Sequence, residues 1–230
     1  MKKHIPNFIT LLNLAAGFLA IIFLFNDNYV VASWLVVAAM IFDFCDGFAA
    51  RLLNSYSELG KQLDSLADVV SFGVVPGLIT YYMIITGRHG DGFPAFIFPV
   101  LIPLAAALRL AKFNIDDRQK ETFIGLPTPA AAIAIVSVVL ADEYGNSLMM
   151  DTFAASQVSL CIYSVIIAYL MVSPIPMISL KFSSMAFKEN TSRYILLALI
   201  LLSFVLFGFV GTALIIPVYL MVSIGDRLFR

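Results

Sequence analysis

Between its polar breaks the chain carries apolar runs near residues 7–25, 29–53, 60–86, 94–113, 127–141, 153–173, 194–207 and 211–225. A hydrocarbon core takes roughly 20 helical residues to cross. It also leaves every backbone N–H and C=O to be satisfied within the chain, so helices or closed barrels alone can span it. The runs therefore predict an all-α fold: a polytopic helical bundle integral to the membrane, with about eight transmembrane helices. Composition agrees, since 61% of the 230 residues are hydrophobic and 13% charged, against about a quarter charged in a soluble domain. The fifth, seventh and eighth runs are short or closely spaced, and the stretch bounded by Gly208 and Gly211 reads either as a tight reversal or as a kink within one segment.

Charge supplies an orientation. With both termini cytoplasmic, Lys2, Lys3, Arg51, Lys61, Lys112, Arg118, Lys120, Lys181, Lys188, Arg193, Arg227 and Arg230 all fall on the inner side. Outer connections near 26–28 and 141–151 carry no Lys or Arg, and the remaining one carries Arg88. That distribution follows the positive-inside rule. Lys2 and Lys3 before an apolar run imitate a secretory signal, but the run is longer than a signal core. No organelle address is visible, which makes a bacterial or archaeal cytoplasmic membrane the expected location. A formal net charge of −1 and the lack of a dense basic stripe exclude nucleic acid as a partner. Cys45 and Cys161 lie in separate apolar runs and read as buried thiols, not as a disulfide. No second domain is apparent: residues 1–230 read as one membrane-embedded unit, with a core at about 5–173 and extra C-terminal helices at about 194–225.

Against this apolar background stand Asp43, Asp46, Asp64 and Asp68. An intramembrane carboxylate costs a few kcal/mol or more and marks a functional site by default. Taken singly, each could be an interfacial acid eased by snorkelling and water. Spacing makes them a set: Asp43 and Asp46 are three residues apart, and Asp64 and Asp68 four apart, so each pair shares a helix face. A short inner turn at 54–57 would bring the two faces together at one depth. Mutual repulsion then calls for cations, and hard oxygen ligands select Mg²⁺, Mn²⁺ or Ca²⁺. A pair of divalent ions suits phosphoryl chemistry. Gly47 and Gly60 allow a bulky anion to approach the backbone, and Arg51 offers a planar fork for phosphate oxygens.

The run D43-F-C-D46-G47-F-A-A50-R51, eight intervening residues, then G60-K-Q-L-D64-S-L-A-D68 resembles the signature of the CDP-alcohol phosphatidyltransferases, DxxDGxxARx8GxxxDxxxD, at every defined position. Further stretches, among them I5-P-N-F-I-T-L-L-N-L, S71-F-G-V-V-P-G, L108-R-L-A-K-F-N and F123-I-G-L-P-T-P-A-A, are similar to the phosphatidylserine synthase branch of that family. The resemblance covers about three quarters of the chain. It implies transfer of the phosphatidyl group of CDP-diacylglycerol to the hydroxyl of L-serine, releasing CMP, with two divalent cations (Mg²⁺ or Mn²⁺, Ca²⁺ as an alternative). By the same resemblance Asp43, Asp46 and Asp64 are metal ligands, and Asp68 is the general base and a further ligand. Asn7, Thr10, Gly47, Arg51, Ser57 and Gly60 would hold CDP-diacylglycerol, and the protein would be a homodimer.

Other readings stand beside these assignments. A Thr in a helix is commonly satisfied by its own backbone, which is the plain alternative for Thr10. Arg109, in an otherwise apolar helix, needs an anionic partner; the carboxylate of serine is one, with Asn114 nearby, and a helix-end carbonyl or an aspartate from another helix is the alternative. Gly125, Leu126 and Pro127 read as shaping the entry to the fifth helix. At the level of function, the same chemistry could use glycerol 3-phosphate or inositol phosphate as acceptor, although a phosphorylated acceptor calls for more basic residues than Arg51, Arg109 and Lys112 supply. From a different class, intramembrane carboxylates also serve cation-coupled transporters.

Overall fold

The computed structural model describes residues 4–87, 95, 97–115, 123–178 and 190–228. It is a membrane bundle of α-helices: α1 (Ile5–Phe25), α2 (Tyr29–Leu52), α3 (Glu58–Asp68), α4 (Val75–Thr86), α5 (Ile97–Ile115), α6 (Thr128–Tyr144), α7 (Leu148–Ala154), α8 (Gln157–Val172), α9 (Thr191–Phe207) and α10 (Ile215–Leu228). Among the described residues five helical stretches are long and apolar enough to cross a bilayer, or six when the bent pair α7 and α8 is taken as one. Residues 116–122 and 179–189, with the expected inner-side charges Arg118, Lys120, Lys181 and Lys188, lie outside the described residues.

α3 and α4 form one continuous rod, joined by a π-helical segment at Val69–Val74. The sequence reading anticipated the rod but not the π turn. Such turns appear mostly as single widened turns inside α-helices, frequently at functional sites, and this one begins directly after Asp68. Its residues Ser71, Phe72 and Gly73 are buried. α1 crosses it so closely that a Cβ on Gly17 would lie 2.4 Å from Ser71 Oγ, and that hydroxyl donates to the Asn13 carbonyl at 3.1 Å. On the other flank, added Cβ atoms on Gly73 and Gly77 would meet Ala106 at 2.9 Å and Pro103 at 3.0 Å on α5. Small residues at helix crossings are how bundles in lipid bring backbones into contact without a hydrophobic driving force.

α6 is the central helix. Ala134 to Ala141 are buried at eight successive positions, which leaves no outward face; a helix apolar all round belongs in a core. Its entry carries a two-residue antiparallel pair, β1 (Phe123–Ile124) with β2 (Pro176–Met177). Gly125 follows with φ +76°, and a Cβ there would sit 2.4 Å from the Met171 carbonyl. Pro127 then precedes the first helical residue, as expected for a helix-entry device.

Gly208, at φ +57°, ends α9 and opens a 3₁₀ segment, Gly208–Leu214. The chain reverses here. Gly211 packs against the Ser203 carbonyl, the Ser203 hydroxyl lies 3.3 Å from the Gly211 carbonyl, and the far ends meet where Ser192 donates to Asp226. Of the two readings offered by the sequence, the reversal is the one observed. One expectation is corrected: Cys161 is buried, but Cys45 is exposed, because it sits on the outward face of α2. Both thiols are free.

The α1 crossing makes a prediction. Gly17→Val should destabilise the detergent-solubilised protein by about 1–3 kcal/mol through overpacking, read as a lowered thermal midpoint. Gly225→Ala, where an added Cβ meets nothing within 4 Å, should leave the midpoint within error.

Candidate functional site

The site forms where α2 ends and α3 begins. Asn54, at φ +47°, takes the left-handed conformation that Asn tolerates better than most residues. Ser57 then caps α3 by accepting from the Gly60 N–H at 3.0 Å, a standard way to satisfy a helix start. This turn returns the chain alongside itself. One carboxylate oxygen each from Asp43, Asp64 and Asp68 consequently lies within 4.8 Å of the others. Asp46 is not part of that triad. It is 6% exposed, within electrostatic reach of Asp64 and Asp68, and its Oδ2 is buried with no hydrogen-bond partner.

The donor set fits a hard divalent cation. It consists of carboxylate oxygens, with no thiolate or imidazole in the triad, the ligand type taken by Mg²⁺, Mn²⁺ and Ca²⁺. A buried, orphaned carboxylate oxygen on Asp46 is what a ligand atom looks like without its ion, since buried polar atoms are otherwise paired.

Around the acids the structure brings together several of the expected residues. Asn7 from α1 meets the α3 cap: a Cβ on Gly60 would lie 3.0 Å from both Asn7 Oδ1 and Ser57 Oγ, so a glycine is what lets the three approach. Gly47 faces open space, with nothing within 4 Å of an added Cβ. Arg51 is exposed, and its Nε donates to the Gly47 carbonyl at 3.0 Å. Thr10 is buried beside Asp46, yet its hydroxyl donates to the Pro6 carbonyl at 3.0 Å. The same hydroxyl is also in hydrogen-bonding reach of the Asp46 carboxylate. Asn114 donates to Ser65 Oγ at 2.9 Å, while Lys61 Nζ donates to the Asn114 carbonyl at 3.1 Å. These bonds tie the end of α5 to α3.

Arg109 is 6% exposed, and its Nε and Nη2 have no hydrogen-bond partner. It lies within electrostatic reach of Asp68 and of Tyr219 on α10. Asn13 was missed in the sequence. Fully buried, it donates from Nδ2 to Asp68 Oδ1 at 3.2 Å. The signal available was spacing, because Asn7, Thr10 and Asn13 recur every three residues along α1 and so lie on neighbouring turns of one face. A cavity of about 770 Å³ lined by Tyr29, Thr86, Asp142, Asp151 and others lies at the opposite end of α2 and belongs to a different region.

The family model for the CDP-alcohol phosphatidyltransferases matches residues 3–169, which include every one of these side chains except Tyr219. The chain belongs to the CDP-alcohol phosphatidyltransferase family. Among its relatives is a protein named CDP-diacylglycerol–serine O-phosphatidyltransferase from Helicobacter pylori strain J99, 40% identical over 149 residues, or 64% of this chain and 62% of the relative. A Bacillus subtilis protein of the same name is 35% identical over 173 residues, 75% of this chain and 89% of the relative. An archaetidylserine synthase from Methanothermobacter thermautotrophicus is 33% identical over 144 residues, 62% of this chain and 60% of the relative. The aligned part thus spans somewhat less than two thirds of the Helicobacter relative's length. The α9–α10 hairpin of this chain lies beyond the family match.

Metal binding provides the test of the acidic cluster. Mn²⁺ titrated into the solubilised protein and followed by electron paramagnetic resonance should bind Asp64→Asn about tenfold or more weakly than the unsubstituted chain, as loss of a charged ligand implies. Cys45→Ser should bind as tightly as the unsubstituted chain.

Proposed function

We propose that this protein transfers the phosphatidyl group of CDP-diacylglycerol to the primary hydroxyl of L-serine, forming phosphatidylserine and CMP. The observation that carries the proposal is the convergence of Asp43, Asp64 and Asp68 in a chain of this family. The names of the relatives point to serine as acceptor. The archaeal relative's name keeps serine while changing the lipid. Family membership leaves the transporter reading without a supporting observation.

In the mechanism Asp43, Asp46, Asp64 and Asp68 would hold two divalent cations, Mg²⁺ or Mn²⁺. When bound, such ions supply polarisation of the pyrophosphate and stabilisation of the departing CMP oxygen. The remaining work falls to the chain. Arg51 commits Nε to the Gly47 carbonyl, so any contact with phosphate is made by its terminal nitrogens, and the open face of Gly47 admits the pyrophosphate. Asn7, Ser57 and Gly60 border the nucleotide. Thr10 would act beside Asp46, with its hydroxyl in reach of both that carboxylate and the Pro6 carbonyl.

Asp68 accepts the serine hydroxyl proton as the oxygen attacks phosphorus. General base catalysis needs hydrogen-bond reach and a group held in one orientation, and the Asn13 amide supplies the latter. Arg109, buried with two nitrogens unpartnered, is assigned to the serine carboxylate, since a buried guanidinium is strongly disfavoured without an anion. Asn114 acts by joining α5, which carries Arg109, to α3. The finer architecture in this proposal is eight crossings, both termini cytoplasmic, the aspartates at the inner face of a prokaryotic cytoplasmic membrane, and a homodimer. CDP-diacylglycerol would then enter from the inner leaflet with its acyl chains left in lipid.

The deciding assay is CMP release by purified protein with CDP-diacylglycerol and Mn²⁺ or Mg²⁺, comparing L-serine with glycerol 3-phosphate and myo-inositol phosphate. L-serine should drive release, and Asp68→Asn should lower the rate by about 10²-fold or more, the lower range of general base catalysis. Release with a phosphorylated acceptor in place of serine would overturn the acceptor assignment.

A further inference from the structure

Asn13 has two ends, and the phosphatidyl-transfer reading uses one. Its Nδ2 donates to Asp68 Oδ1 at 3.2 Å, and its backbone carbonyl accepts from Ser71 at 3.1 Å, which fixes the residue between α1 and the π turn. A carboxylate accepts and does not donate, so the amide must turn its NH₂ toward Asp68 and its oxygen away. That Oδ1 is buried, in a residue with no exposure, and has no donor. Native interiors seldom leave a buried acceptor unpaired, and each instance needs an explanation. Arg109 presents the complementary case within electrostatic reach of the same carboxylate, with its Nε and Nη2 donors unpartnered.

Asp68 is therefore bonded by a residue whose own acceptor needs a donor, and in its electrostatic reach are donors that need an acceptor. A zwitterionic amino acid that presents a hydroxyl to Asp68 supplies both, an α-ammonium for the one and an α-carboxylate for the other. Resting on the phosphatidyl-transfer reading, we propose that Asn13 determines acceptor specificity: its Nδ2 positions Asp68 and its Oδ1 accepts a hydrogen bond from the α-ammonium group of the acceptor. No proton is transferred at Asn13. Phosphorylated alcohols carry no ammonium group, so Oδ1 would meet a neutral hydroxyl in its place, a weaker partner that disfavours them without a steric clash.

The test compares L-serine with 3-hydroxypropionate, which keeps the primary hydroxyl and the carboxylate and lacks the amine. Full-length protein, Asn13→Leu and Asn13→Ser are assayed for CMP release, with KM for each acceptor and for CDP-diacylglycerol. Asn13→Leu should reduce the kcat/KM preference for L-serine over 3-hydroxypropionate by about tenfold or more, as expected for a lost hydrogen bond to a charged group. Asn13→Ser, which keeps an oxygen acceptor, should retain part of that preference, and KM for CDP-diacylglycerol should change by less than about twofold, well under the free energy of one such bond. Equal losses with both acceptors would show that Asn13 acts solely through Asp68 and would overturn the proposal. If Asn13→Leu lacks a thermal transition, Asn13→Ser carries the comparison: an unchanged acceptor preference together with a lowered kcat overturns the proposal in the same way. Unsubstituted protein that releases no CMP with L-serine would overturn the underlying transfer reading, an outcome distinct from failure at Asn13.

Discussion

Holding several carboxylates against one another inside an apolar bundle is the constraint on which the rest of this structure depends. Repulsion and desolvation both oppose it, so the helices carrying Asp43, Asp64 and Asp68 must be locked by contacts that do not involve the acids. The lock is steric. Gly17 admits Ser71, Gly73 and Gly77 admit α5, and Gly60 admits Asn7. At Gly17, Gly73 and Gly77 an added methyl group would crowd the facing helix, while at Gly60 it would displace the Asn7 and Ser57 side chains; together they hold α1, the α3–α4 rod and α5 at the spacing the site needs.

The π turn after Asp68 contributes to the same end. An α-helix that continued unchanged would carry the residues of α4 around the axis at 3.6 per turn; the wider turn shifts that register. Asp68 thus completes the acidic face of α3 while Ser71 and Gly73 meet α1 and α5. The hairpin of α9 and α10 closes the bundle from the far side. Thr212 Oγ1 lies 3.3 Å from the Ser137 carbonyl of α6, and Tyr219 donates to the Ile178 carbonyl at 2.8 Å. The buried Tyr219 ring is thereby held within electrostatic reach of Arg109, so an element outside the family match reaches the environment of a proposed acceptor contact.

Much of this was legible because the relevant signals are local. The boundaries of α1, α2, α5 and α6 follow from hydropathy and Pro or Asn punctuation, and the pairing of Asp43 with Asp64 and Asp68 follows from helical period plus a short turn. What was hidden is relational. Thr10 lies beside Asp46, and its hydroxyl also bonds the Pro6 carbonyl, an option open to any helical Thr. That Asn114 donates to Ser65 across to α3 could not be read from its place five residues after Arg109. Cys45 sits in an apolar run, yet a bundle helix in lipid has an outward face as apolar as its inward one, so hydropathy cannot tell which way the thiol points. Asn13 left a trace only as a third polar residue in step with Asn7 and Thr10.

The sequence by itself determined the class of protein, the helices, and the acids and glycines of the signature, because length, hydropathy and spacing along one helix are properties of the chain taken piece by piece. Tertiary structure alone decided that three aspartates form a triad while Asp46 stands beside it with an orphaned oxygen, that Gly208 reverses the chain, and that Asp68 takes a hydrogen bond from Asn13 with Arg109 in electrostatic reach. Those outcomes depend on rotations and close approaches among α1, α3 and α5, which are set by side-chain volumes at crossings far apart in sequence.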